Sequence, residues 1–254
     1  MSHIKIKHNF VAPLNEGVKK VMRENDGVSP IQTEEILARA EEFEVIITTT
    51  DDRIVTGFQY SEMGKMNIIF EPNPIITFFA VAHKYVQSAI ALRRELLETE
   101  MKFDDAVDLQ LHKTFRFLTS STTCTLQMFA SLETMLNIEI EKCNQPLIYN
   151  DEEKTIGWIL RHVAFEEKIK SILPQIHESN FHSDFGHQYE YIKKLKTLRD
   201  NTMHYKPTSD KVAAVRSFIT ANLKFEFEET LHAVKDFINY YNISLIENCN
   251  CGKD

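Results

Sequence analysis

Between Asp105 and about Lys142, Phe115, Leu118, Thr122, Leu126, Phe129, Leu132, Leu136 and Ile140 recur at steps of 3, 4, 4, 3, 3, 4 and 4. Only a helix brings such a series onto one side. A helix of this length needs companions along it to cover that side. The spacing therefore predicts a core-facing helix in a mainly α protein. Within it, Thr119–Thr125 is a run of seven small or β-branched residues. They have modest helix propensity, but small side chains admit a neighbouring helix at close range. Two uses are open for such a run, tight internal packing and a subunit contact.

The rest of the C-terminal region also reads as helix. Ile75–Thr99 carries Phe79, Ala82, Val86, Ala89 (or Ile90), Arg93 and Leu97 at helical spacing. Asp151 is placed to cap a helix over Glu152–Leu173, and Asp151-Glu152-Glu153 suits the positive end of its dipole. Pro174–His187 reads as a polar loop. Gln188 to about Asn201 is a short helix with Tyr189, Ile192, Leu195 and Leu198 inward. Lys211–Ile246 is helical with a break near Asn222, and the tail from Asn248 is expected to fray.

Residues 1–72 differ in character. His3–Val11 alternates like a strand, and Thr33–Phe43 looks helical. Glu44–Thr50 and Arg53–Tyr60 suit a hairpin around Asp51-Asp52, and Met66–Phe70 adds a further strand. Pro72-Asn73-Pro74 marks the boundary, since each proline disfavours helix in the residue before it. The expected architecture is an antiparallel helical bundle over 75–254, preceded by a smaller α+β region over 1–72.

At 254 residues the chain is long enough to bury a core without a disulfide or metal staple. Four cysteines are too few for a disulfide scaffold, so a reducing cytoplasm is expected. The longest near-apolar run, Ile75–Ala82, is short of the ~20 residues a membrane span requires, and the N-terminus has no signal-peptide pattern. The net charge of −8 makes the whole chain a poor generic polyanion binder. Between Glu190 and Arg216, however, seven positive residues outnumber three negative ones. Any RNA contact is expected there, with Lys193, Lys196, Asn201 and Lys206 as candidates.

That window holds Arg199-Asp200-Asn201-Thr202-Met203-His204. Arginine offers a planar fork of donors to a phosphate, and histidine both takes and gives a proton near neutral pH. Together they suit attack by an internal 2′-hydroxyl on a phosphodiester, a route that needs neither metal nor cofactor. Five positions of regular helix set the two side chains about 140° apart, so convergence requires the helix to loosen near Asn201. The competing expectation is that Arg199 pairs with Asp200 or Glu190 while His204 closes the helix end.

Arg199, Asp200 and His204 match an Arg, a polar residue and a His at the spacing found in the HEPN superfamily of small helical domains. The run TTCTLQMFASLETMLN over Thr122–Asn137, with Glu133 and Asn137, looks like that family's earlier helix, and the lysine-rich approach Tyr189–Leu198 is also similar. The likeness covers about Lys113–Asn242. It implies metal-independent RNA cleavage by a homodimer whose two motifs face one cleft. In that scheme Arg199 polarises the phosphate, His204 transfers protons and Asp200 orients the pair. Stress or anti-phage toxins are among the roles it implies, as are members that only bind nucleic acid or a protein partner. One toxin branch has Tyr two positions after the His. Here Tyr205 follows directly and Lys206 takes the next place, a departure that argues against that branch's antitoxin.

His177, His182 and His187, with Asp184 between them, fit no zinc ligand pattern and read as a solvated loop. Cys249-Asn250-Cys251 lies in the tail, Cys124 and Cys143 read as buried, and Trp158 as core. There is no Gly-rich phosphate loop, nucleophile elbow or zinc-protease motif.

Overall fold

The structure is a computed structural model that describes residues 4–5, 45–48, 54–70, 72–98, 107–204 and 211–249. Residues 9–76 form one unit, and residues 1–8 together with 77–254 form the other. The described residues are mainly helical.

In the first unit, β1 (Val45–Thr48), β2 (Ile54–Glu62) and β3 (Lys65–Phe70) form an antiparallel sheet in chain order. Val45 pairs with Gly57, and Glu62 pairs with Lys65 across a two-residue turn. Met63 and Gly64 both take positive φ there, 51° and 73°, the twist that suits a tight hairpin. The helix expected over Thr33–Phe43 lies outside the described residues, as does most of the strand expected over His3–Val11.

Helix α1 (Pro74–Glu98) starts where the sequence punctuates it. Asn73 Oδ1 accepts from the backbone N–H groups of Ile75 and Ile76, at 3.0 and 3.3 Å, and Pro74 occupies a first-turn position where its missing donor costs nothing. Phe79, Ala82, Val86 and Ala89 are fully buried. By length and composition α1 is nevertheless sufficient to cross a membrane. Polar residues interspersed through this otherwise apolar helix keep its longest uninterrupted apolar run short.

Helix α2 (Val107–Glu141) is the long helix, and it runs antiparallel to α1, with Ser120 against Ser88 (3.1 Å) and Arg116 against Glu95 (3.8 Å). Its expected apolar series divides in two. Phe129, Leu132, Leu136 and Ile140 are buried, whereas Phe115 is 67% exposed and Leu118 and Leu126 are half-buried. The inward line of the first half is Phe117, Ser121, Cys124 and Met128 instead. Of the Thr119–Thr125 run, Ser120, Ser121, Cys124 and Thr125 are packed inside, while Thr119 is exposed and Thr122 and Thr123 are half-buried.

Burying hydroxyls requires partners for them. Thr125 Oγ1 donates to the Ser121 carbonyl (2.8 Å) and Thr122 Oγ1 to that of Leu118 (2.7 Å). Ser121 Oγ donates to Oδ1 of the fully buried Asn222 (2.8 Å), whose amide donates in turn to the Phe218 carbonyl (2.9 Å). Burial pushes the Cys124 thiol up to about 12.

Asp151 does not cap a helix. Leu147–Tyr149 (β4) and Glu152–Lys154 (β5) form a hairpin, and Asn150 and Asp151 take φ of 52° and 62° at its turn, a conformation these side chains tolerate. The helix α3 (Ile156–His162) begins one step later with Thr155 as its cap. After an extended Val163-Ala164, α4 (Phe165–Glu167) continues into a π-helical turn (Lys168–Ile172) and then α5 (Leu173–His177). The expected loop at Pro174 is thus partly helical. The ladder widens just before a residue that has no N–H to give.

Three more helices complete the core after the short α6 (Phe181–Asp184): α7 (Gly186–Met203), α8 (Lys211–Lys224) and α9 (Phe227–Tyr241). They pack on α2 and on one another. The break between α8 and α9 falls at Phe225-Glu226, where Arg93 of α1 donates to the carbonyls of Phe225 (2.9 Å) and Leu223 (3.3 Å). That arginine satisfies acceptors left open at a helix end. The tail is not frayed at Asn248: Ile4 bridges to Asn248, and both Ile4 and Ile246 are buried.

Asn222→Ala leaves the Phe218 carbonyl without its side-chain donor and removes the nearer of two acceptors of Ser121, the other being the Leu118 carbonyl at 3.2 Å. It is expected to lower stability by about 1–3 kcal/mol, read as a shifted urea midpoint with an unchanged slope.

Candidate functional site

The motif helix α7 is held by Tyr189, Ile192, Leu195 and Leu198, all buried. Steps of three fall short of a full turn, so the buried line drifts around the helix and carries Arg199 onto the core side. The Arg199 guanidinium lies 4.0 Å from the Phe129 ring centre on α2, a cation–π contact. Its Nη1 donates to Asp200 Oδ1 (2.8 Å) and its Nη2 lies 3.7 Å from Glu133 Oε2. Asp200 also accepts from Lys196 Nζ at 2.9 Å. Partial burial works against the Asp200 charge, but the hydrogen bonds from Lys196 and Arg199 outweigh it and hold the carboxyl below its ordinary range.

The helix does not loosen at Asn201. It runs to Met203, and the His204 N–H still donates to the Asp200 carbonyl (2.9 Å). Regular winding therefore leaves Arg199 and His204 about 140° apart in one protomer. Arg199 is three-quarters buried with two carboxylate partners, and His204 is an exposed terminal residue of the helix. The pairing with Asp200 and the closure of the helix end by His204 are both present.

Glu133 and Asn137 stand on the same side of α2. Glu133 meets Arg199, and Asn137 Oδ1 accepts from Lys168 Nζ (3.3 Å), which also donates to the Leu160 carbonyl (3.0 Å). Burial pulls the Lys168 pKa down, and the nearby Glu133 charge opposes that pull. Lys168 escaped sequence reasoning because a lysine on an amphipathic helix normally reads as solvated.

Lys193 and Asn201 line a cleft of about 440 Å³ on the outer side of α7. Its charged groups are Glu166, Glu190, Lys193 and Lys194, its other polar groups Thr197 and Asn201, and its apolar wall Leu198, Ala221 and Phe225. Lys193 pairs with Glu190 (2.6 Å) and Lys194 with Glu226 (2.5 Å). Lys196, Arg199 and Asp200 do not line it, and Lys206 lies outside the described residues.

The three histidines find separate partners. His177 lies 3.2 Å from Glu139 and against Tyr241, His182 against Tyr189, and His187 against Tyr191. Among the described residues no group of three or more His, Cys, Asp or Glu side chains is arranged to hold a metal ion. Trp158 is half-buried rather than core, between Tyr149, a stacked His162 and Lys154. Cys143 is half-buried, at the end of α2 where cover is thin. No protein-family model, curated protein or solved structure matches this chain.

Asp200→Asn tests the charge network. A lowered carboxyl pKa contributes stability above the ordinary value of 3.8 and loses it as pH falls through the folded value. The wild-type advantage in melting temperature over this variant is expected to be constant near neutrality and to shrink below about pH 4.

Proposed function

We propose that this chain is a HEPN-type, metal-independent endoribonuclease that works in the cytoplasm as a homodimer. The observation that carries the reading is the end of α7. There Arg199 and Asp200 are tied together and to Glu133 of α2, the helix that bears the second half of the sequence likeness, while His204 stands exposed one turn on. Because one regular helix keeps Arg199 and His204 apart, the active centre takes Arg199 from one protomer and His204 from its partner across a two-fold axis. The His204 imidazole removes the 2′-hydroxyl proton. The resulting oxygen attacks phosphorus to close a 2′,3′-cyclic phosphate, Arg199 stabilises the charge on the phosphorus oxygens, and the P–O5′ bond breaks as the 5′-oxygen takes the proton held by His204. Asp200 orients the guanidinium, and Lys193, Lys196, Asn201 and Lys206 contact the RNA.

A second reading has its own observation. Each lysine and arginine of α7 is ion-paired with a carboxylate: Lys193 with Glu190, Lys194 with Glu226, Lys196 with Asp200, and Arg199 with Asp200 and Glu133. A helix neutralised in this way suits a non-catalytic module that binds nucleic acid or a protein partner.

The two separate on purified protein. The first expects RNA cleavage that resists EDTA and is lost in both Arg199→Ala and His204→Ala. Mixing and re-forming those two inactive variants rebuilds one of two centres in half of the dimers, so about a quarter of the wild-type rate is expected to return. RNA left intact by a folded dimer supports the second reading.

A further inference from the structure

The α7 cleft has a chemistry that its neighbouring motif does not explain. Glu190, Lys194, Thr197 and Asn201 follow one another at steps of 4, 3 and 4 along the outer side of α7. His204 is the next residue on that line. It is within about 20° of Thr197 around the axis and about 4.5 Å beyond Asn201 along it. His204 does not itself line the cleft but follows it on that face, one turn beyond Asn201, while Arg199 is on the other side of the helix.

The lining argues against a phosphate. Its two lysines are matched by its two glutamates, and both lysines are already ion-paired. An anion gains little from a neutralised site, whereas a neutral group with hydrogen-bonding edges and apolar faces gains from all parts of it. The volume, about 440 Å³, is that of a small-ligand site. Leu198, Ala221 and Phe225 supply the apolar wall. Thr197 Oγ1 already donates to the Lys193 carbonyl (3.0 Å), so toward a ligand it accepts. The Asn201 amide both donates and accepts.

Glu166 decides among bases. Its nearest cation, Lys170, is 4.0 Å away, so the carboxylate keeps acceptor capacity. Beside it lies the buried Tyr189 hydroxyl, a donor placed to steady the carboxylate. Two carboxylate oxygens match two adjacent N–H donors. Guanine presents such a pair, N1–H and N2–H, on its Watson–Crick edge. Adenine and uracil set an acceptor beside a donor there, and an acceptor facing a carboxylate is left unpaired.

We propose that this cleft seats a guanine base of single-stranded RNA, with Glu166 accepting from N1–H and N2–H, next to the phosphodiester that reaches His204. The inference rests on RNA being the ligand of α7, and it assigns the cleft a base preference that the motif alone does not give.

The test uses fluorescent eight-nucleotide RNAs that differ at one position, guanosine, inosine or adenosine, titrated by anisotropy into the full chain carrying His204→Ala. Guanosine is expected to bind at least tenfold more tightly than adenosine, with inosine, which lacks the N2 amine, between them. Adding Glu166→Gln is expected to bring the three within about twofold, since the new amide opposes a donor with a donor. Asn201→Ala, at an exposed position, is expected to weaken guanosine binding severalfold and covers the case in which the Glu166 variant fails to fold. Equal affinities in the His204→Ala protein, or a preference that survives both further changes, overturns the proposal. Guanosine preference in a wild-type protein that leaves RNA uncut keeps the cleft assignment and removes the nuclease reading. Cleavage with no base preference does the reverse.

Discussion

The hydrogen-bonded middle of α2 is the constraint on which the seating of α1 and α8 depends. Ser120, Ser121, Cys124 and Thr125 put small side chains where a core helix usually carries Leu or Ile. That choice replaces apolar bulk with hydrogen bonds to α1 and α8: Ser88 with Ser120, and Ser121 to Asn222. Larger residues there would push α8 outward. The Arg93 contacts with the carbonyls at the α8–α9 break tie α1 to the end of α8.

Much of this was legible in the chain, and the illegible parts have physical reasons. The periods of α1 and α7 stand out because their inward residues are apolar, although Leu97, on the expected line of α1, is 65% exposed. In α2 the inward line of the first half is partly Ser and Cys, so the more apolar neighbouring line gives the stronger periodic signal, although Phe115 on it is exposed and Leu118 and Leu126 are half-buried. The Asn150-Asp151 turn was hidden because aspartate suits both a helix cap and a left-handed turn, and only the pairing of Leu147–Tyr149 with Glu152–Lys154 selects between them. A proline signals the end of a helix reliably only if the ladder before it stays α. At Pro174 it widens to π instead.

The candidate site was legible as a set of residues and less so as a geometry. Spacing identified Arg199, Asp200 and His204, and the α2 run identified Glu133, which the fold places 3.7 Å from Arg199. Spacing did not foresee an α7 still wound at His204, and so could not tell which face each side chain takes. The cleft gives no linear signal, because Glu166, Ala221 and Phe225 reach it from elements far from α7 in sequence.

The join between the segments around Ile4 and Asn248 has a consequence for the order of assembly. Lys5 meets Glu247 by backbone and side chain alike, 242 positions apart. Closing so long a span before the bundle exists would forfeit chain entropy with nothing yet gained in return. The join is therefore a latch that engages last, once α9 has packed. On a ribosome the residues around Ile4 wait without their partner throughout synthesis of the helices. A crosslink across that join would reverse the sequence, fastening the ends before the middle has formed.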